Sequence, residues 1–203
     1  MHVAASTKAC RVTDARSARA QRTRTAIADA MIELVLEGSG FPTAADIARR
    51  SKVGVRTVFH HFGDIETLFI EVIRRFEPTV ASLIVTVNPH SALDQRVRDL
   101  VEQRHRVFCR IAPVRRVARG NNELTRSQAV LAAKRRLQYV LDRQVHETFA
   151  HELRLLPDRH GTVLRITSTL SFEMWDYLTR ERGLSGAQAQ RHLTVLVMRE
   201  LAG

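Results

Sequence analysis

The chain has 203 residues, 44% of them apolar, which is enough to bury a real core in one medium domain or two small ones and excludes a disordered chain. No apolar run approaches the roughly 18–20 residues of a membrane-spanning helix, and the Arg-rich first 25 residues hold no signal-peptide core, so the expectation is a cytoplasmic protein. Lys and Arg outnumber Asp and Glu by 32 to 21, a formal charge of +11, with 12 basic and 9 acidic residues in 1–78 and 20 and 12 in 79–203; this fits an acidic partner but does not place the surplus in one arm.

Residues 1–20 are small, polar and basic and read as a flexible basic arm that includes Arg11, Arg16 and Arg19. Apolar spacing at Ile27, Met31 and Leu34 predicts a first helix from Arg22 to Glu37, ended by Gly38 in a left-handed conformation. Thr43 then precedes Ala44-Ala45-Asp46, an N-cap with an acidic residue three positions on, and opens a short second helix. Ser51-Lys52-Val53-Gly54 reads as a tight turn, and a short third helix runs from Val55 to His61. A fourth starts at Asp64 and is ended or kinked by Pro78. The β-branched stretch Val80 to Val87 is also read as helical.

Ser91 caps a predicted helix from Ala92 to Ile111, followed by a short one over Val114–Arg119. Residues from Glu123 to Leu156 read as one helix about 50 Å long at 1.5 Å per residue. After Pro157 come two more, Thr162–Arg182 and Ala187–Leu201, the second opened by Ser185 with Gln188 at the capping-box position. The fold class is therefore all-α.

The segment Thr43 to Phe62 carries the functional signal. Two short helices joined by a tight turn form a helix-turn-helix, whose second helix fits a major groove. Ile47, Ala48, Val53, Val58, Phe62 and Leu68 have the spacing to form a small core with Ile27, Met31 and Leu34. The opposite face of the third helix then presents Val55, Arg56, Phe59 and His60. An Arg fork in that position matches guanine O6 and N7, whereas hydroxyls, imidazoles and helix-start amides suit phosphate oxygens.

On these residues the chain resembles a TetR-family transcriptional regulator. The pattern stands here as Thr43, Ile47-Ala48, Val53, Thr57, Phe59, His61-Phe62 and Leu68, and it covers about Arg22 to Val72. The resemblance implies that Thr43 and Thr57 hold phosphates, that His61 sits at the DNA backbone, and that Val55, Arg56 and His60 lie nearest the base edges. Three positions depart from the family: Phe59 stands for the usual Tyr, Lys52 for a turn Gly, and Ile65 for a Lys. Lys52, or Arg11, Arg16, Arg19 and Arg22, are candidates to replace the phosphate contact so lost.

The resemblance also implies an N-terminal three-helix DNA-binding domain at 21–68 and a C-terminal helical bundle at 69–203 for ligand binding and dimerisation. The partners expected are a palindromic double-stranded operator, a second copy of the chain and a small-molecule effector that releases a repressor. Leu193, Leu196, Val197 and Leu201 offer an apolar face for the second copy. Phe108, His146, Phe149, Phe172 and Trp175 lie on helices that line the pocket in this family, and Arg104 and His105 interrupt the apolar stripe of their helix as polar groups facing an acidic ligand would. His105 and Cys109, four apart, have the spacing of two metal ligands but no further partners, and Cys10 and Cys109 make no CxxC half-site, so no metal or cofactor is expected. The chain carries no Glu-x-x-His set, nucleophile elbow or glycine-rich phosphate loop. A non-enzymatic regulator is the first reading; a helical-bundle enzyme, or a DNA-binding dimer that senses nothing, are the alternatives.

Overall fold

A computed structural model describes residues 4–38 and 40–202, with side chains from Arg16 onward; the side chains of Cys10 and Arg11 lie outside the described residues. The described residues form helices α1 (Ala4–Glu37), α2 (Ala44–Ser51), α3 (Val55–Phe62), α4 (Ile65–Leu83), α5 (Leu93–Arg119), α6 (Asn122–Arg126), α7 (Gln128–Thr148), α8 (Ala150–Leu155), α9 (Arg159–Thr169), α10 (Phe172–Asp176) and α11 (Gly186–Ala202), with a π-helical turn at Tyr177–Glu181. The all-α class holds, and no strand occurs among the described residues.

Several boundaries differ from those the sequence suggests. The first helix begins at Ala4, so the segment read as an arm is helical from there on. Its physical basis is composition: this stretch is Ala- and Arg-rich and free of Gly and Pro, so propensity favours helix where no apolar stripe announces one. Pro78 and Pro113 both lie inside helices that continue past them. Each Pro removes one intrahelical bond, yet Phe76 and Val80 around Pro78, and Ile111, Ala112, Val114 and Val117 around Pro113, are buried and hold the backbone in register. Residues 84–88 are irregular rather than helical.

The single strut expected over Glu123–Leu156 is three helices. The first corner falls at Ser127, whose backbone leaves the helical region (φ −58°, ψ 121°) with its side chain buried beside buried Leu124. The second falls at Phe149, whose ring is fully buried. The helix expected over Thr162–Arg182 is likewise broken, because Ser171 adopts extended geometry and its hydroxyl accepts the Met174 amide to start α10. The Ser185 and Gln188 side chains cap α11 reciprocally, as expected.

The chain divides into two compact units. Residues 1–75 and 116–127 make the first, and 76–115 and 128–203 the second. In the first, Ile27, Met31, Leu34, Ile47, Ala48, Val58, Phe62 and Leu68 are buried as expected, joined by Phe69 and Val72; Val53 is half-buried. In the second, Val97, Leu100 and Val101 of α5, Val145 of α7, Leu153 of α8, Val163 and Ile166 of α9 and Leu193, Val197 and Leu201 of α11 form one cluster around Phe149. Three of the four α11 residues read as a face for a second copy are thus used inside their own unit. Apolar side chains left exposed nearby include Leu155 of α8, Leu164 of α9 and Val195 of α11.

Arg96 closes this unit: its guanidinium donates to both Glu152 carboxylate oxygens (2.5 and 3.1 Å) and to the Thr148 carbonyl (2.7 Å). With the Arg96 side chain 9% and the Glu152 side chain 15% exposed, the pair is well shielded, a setting in which removing one partner costs more than at a surface.

Candidate nucleic-acid interface

The helix-turn-helix is locked by short-range bonds that its sequence encodes. Thr43 accepts the Asp46 amide on its hydroxyl (3.2 Å), and Asp46 accepts the Thr43 amide (3.2 Å) and hydroxyl (2.6 Å). These bonds hold the Asp46 carboxyl below the usual carboxylate range. The Thr43 hydroxyl proton is thus already given to Asp46, and a phosphate at this position would compete for it. At the other end of α2, Lys52 adopts the left-handed conformation at φ 56° and ψ 37°, and among the described residues it is the one non-glycine with positive φ. Arg50 donates to both oxygens of Glu37 (2.7 and 2.9 Å) and to Glu33 (3.1 Å), docking α2 against α1.

Helix α3 has two faces. Val58 and Phe62 are buried, whereas Arg56 and His60 are exposed and Val55 and Phe59 show 42% and 40% of their surface. Two large apolar side chains held out in water beside an arginine make a surface suited to thymine methyl groups and guanine edges. Among the described residues Arg56 makes no ion pair, so its fork is available. The N-cap of α3 is Gly54, with no side-chain cap bond; the Thr57 amide donates to the Gly54 carbonyl (2.9 Å), and the Val55 and Arg56 amides ahead of it are the ones a helix start offers to an anion. Gly63 ends the helix at φ 75°, a conformation that side-chain-bearing residues avoid.

Arg24 of α1 fixes the far end of α3. Its guanidinium donates to the His61 carbonyl and stacks 4.0 Å from the centre of the Phe62 ring. His61 is half-buried, and burial, with smaller contributions from the neighbouring His60 and Arg24 charges, pushes its pKa below the ordinary value of 6.5. Ile65 is half-buried at the start of α4, where Asp64 accepts the Thr67 amide (2.6 Å).

The extension of α1 completes the surface. An open groove is lined by Arg16, Arg19, Ala20 and Thr23 on one side and by Val53, Gly54, Thr57, His60 and His61 on the other. The four α1 residues sit at i, i+3, i+4 and i+7, one stripe of a helix. Arg16 and Arg19 therefore stand beside Thr57, His60 and His61, positions that hydroxyl, imidazole and guanidinium groups would share around a phosphate. The sequence names these arginines but not their placement, because helix propensity alone extends α1.

The candidates in the second unit are partly gathered. Phe108, Phe172 and Trp175 form one buried cluster with ring centres 5.8–6.0 Å apart. His105 joins it by accepting the Trp175 indole N–H on Nδ1 (3.0 Å), and its Nε2 faces the Cys109 sulfur at 3.5 Å. Burial pushes the His105 pKa down. Phe149 lies in the other cluster, and His146 is on the exposed side of α7. Arg104 is 1% exposed, inside the bundle. No group of three or more metal-ligating side chains occurs among the described residues, nor does a helix long and apolar enough to cross a membrane.

Residues 33–72 match the family model described as bacterial regulatory proteins, tetR family, which covers α2, α3 and most of the buried positions that hold them. No curated protein matches the chain by sequence. Among solved structures, the chain is similar to a Mesorhizobium loti protein described as a TetR-family transcriptional regulator, with 18% identity, a TM-score of 0.60, and coverage of 91% of this chain and 97% of that one. The fold is thus that of an N-terminal helix-turn-helix domain followed by a helical C-terminal domain, and the helix-turn-helix is of the DNA-binding, transcription-regulating type that the family model describes.

Proposed function

We propose, taking a tetR-type helix-turn-helix as the premise, that the protein reads a palindromic operator in double-stranded DNA as a homodimer and that a small-molecule effector releases it, making it a repressor that works in the cytoplasm. The observation that carries the DNA reading is the outward face of α3, with Val55, Arg56, Phe59 and His60 exposed, flanked by a groove that Arg16 and Arg19 line. In this reading Arg56 reads a base edge through its fork, and Thr57, His61, Lys52 and the two α1 arginines hold phosphates. Thr43 serves first as the cap that orients α2.

A two-fold dimer places two such heads on two half-sites, which is why the operator is expected to be a pseudo-palindrome. Exposed Leu164 and Val195, on neighbouring helices α9 and α11, supply apolar surface for the second copy. Release requires an effector that binds one arrangement of the dimer better than the other.

The test is selection of duplexes from a random pool by the purified chain at two salt concentrations. A palindromic consensus, lost in Arg56→Ala while weak salt-labile binding persists, supports the reading. Enrichment of no sequence, with only salt-labile binding, overturns it.

A further inference from the structure

The second unit buries a positive charge without a carboxylate to meet it. Arg104 is 1% exposed, and its guanidinium donates to neutral oxygens only, Gln144 Oε1 (2.7 Å) and the Leu141 carbonyl (2.7 Å). Asp142 acts on it through its charge without bonding to it and accepts from Gln138 (2.7 Å). Burial pushes the Arg104 pKa down to about 10. An isolated buried ion is expensive, and such residues are normally paired.

Beside it lies an unmet acceptor. Gln103 is 1% exposed, and its Oε1 is the one buried side-chain polar atom without a hydrogen-bond partner among the described residues. Its Nε2 donates to the Val85 carbonyl (2.7 Å), which also accepts Nε2 of Gln144 (2.7 Å). Two amides and, through Gln144, one guanidinium therefore converge on a single carbonyl oxygen. That oxygen belongs to the irregular segment 84–88, where the Val85 side chain is 54% exposed and Ile84 packs on the cluster of Phe108, Phe172 and Trp175. Residues 84–86, anchored on one side by Val87, which is buried in the cluster around Phe149, thus plug both a polar node and an aromatic one.

We infer that this node is an anion site for the effector, and that a 2-hydroxy carboxylate with an apolar body displaces residues 84–86 to occupy it, Val87 staying in the Phe149 cluster as the pivot. The carboxylate takes the place of the Val85 carbonyl, accepts from Gln103 and Gln144 and neutralises Arg104. The two atoms of the Gln103 amide face the ligand side by side, so the partner must offer an acceptor and a donor side by side, as a hydroxyl next to a carboxylate does. One buried guanidinium calls for one negative charge, which favours a carboxylate over a phosphate dianion. The apolar body replaces Ile84 against Phe108, Phe172 and Trp175. This inference rests on the effector-released regulator described above.

The test uses the intact chain and its single tryptophan, Trp175, as the reporter. Mandelate, 3-phenyllactate and 2-hydroxyoctanoate are titrated at up to millimolar concentration, with phenylacetate lacking the hydroxyl and mandelamide lacking the charge. The expected result is a saturable fluorescence change with a hydroxy acid, weakened roughly tenfold without the hydroxyl, and abolished for the neutral amide and in Arg104→Met. Arg104→Met removes a buried charge but also the donor to Gln144 Oε1 and the Leu141 carbonyl, so a thermal melt first establishes that it folds. Should that variant fail to fold, Gln144→Glu places a carboxylate on Arg104 directly and is expected to block acid binding.

Equal binding of mandelate and mandelamide, unchanged affinity in the folded variant, or silence with all three hydroxy acids overturns the inference. Operator binding is measured on the same samples. Intact operator binding without acid binding removes this inference alone, whereas acid binding by a chain that selects no operator removes the regulator reading instead.

Discussion

Lys52 holds a left-handed backbone at the C-cap of α2, which costs a side-chain-bearing residue about 1 kcal/mol relative to glycine. Lys52→Gly is therefore expected to raise stability by up to about 1 kcal/mol in urea melts while lowering DNA affinity, because the same residue is a candidate phosphate contact. A gain in stability with unchanged affinity would place Lys52 outside the interface. His61 makes a second prediction. Its pKa lies below 6.5 in the free protein, so the fold's contribution from neutral His61 is complete above 6.5 and is lost as pH falls through the lowered value. A phosphate beside it favours the imidazolium instead, so DNA binding takes up a proton and affinity rises as pH falls through this window. His61→Gln should flatten that dependence, and a pH profile indistinguishable from the parent's would remove His61 from the DNA backbone.

At the level of elements, the α1 stripe predicts that Arg16→Ala with Arg19→Ala lowers operator affinity at every sequence and reduces the slope of log affinity against log salt by about 2. A base-specific loss instead would mean that these arginines read a groove edge. Thr43→Ala, which removes the cap of α2, should destabilise the first unit by about 1 kcal/mol in a thermal melt. The helix-turn-helix was legible because its signals are local: Thr43 and Asp46 form their reciprocal bonds, Gly38 takes φ 72°, and Val58 and Phe62 turn inward. The second unit was less legible for a physical reason. Its corners at Ser127 and Phe149 are set by side chains buried in tertiary packing, and no Gly or Pro marks either one. Pro78 and Pro113 mislead in the opposite sense, because buried neighbours on both sides outweigh the roughly 3 kcal/mol that a helical proline costs. The node around Arg104 shows half of itself in sequence, as a charge on an apolar stripe. Its other half, the Val85 carbonyl, depends on residues 84–88 leaving the helix.

At the level of the molecule, the first unit is not one stretch of chain. It comprises 1–75 and 116–127, and the returning segment contributes buried Val117 and Leu124. A fragment ending at residue 78 should therefore lose the burial of two apolar side chains, about 3–6 kcal/mol by area, and melt well below the intact chain's first transition. Circular dichroism melts of the fragment and of the full chain check this, and an equally cooperative, equally stable fragment would show the returning segment to be dispensable.

The same discontinuity governs what can be inherited or engineered as a module. A DNA-reading head encoded by one uninterrupted stretch can pass between genes at a single crossover, or be spliced onto a foreign bundle at one joint. Here the polypeptide leaves the head after residue 75, returns at 116 and leaves again after 127, so a chimera must carry two segments and match three junctions. On the effector-released reading proposed above, a change of effector is thus more readily acquired by substitutions within 76–115 and 128–203 than by exchange of a whole cassette.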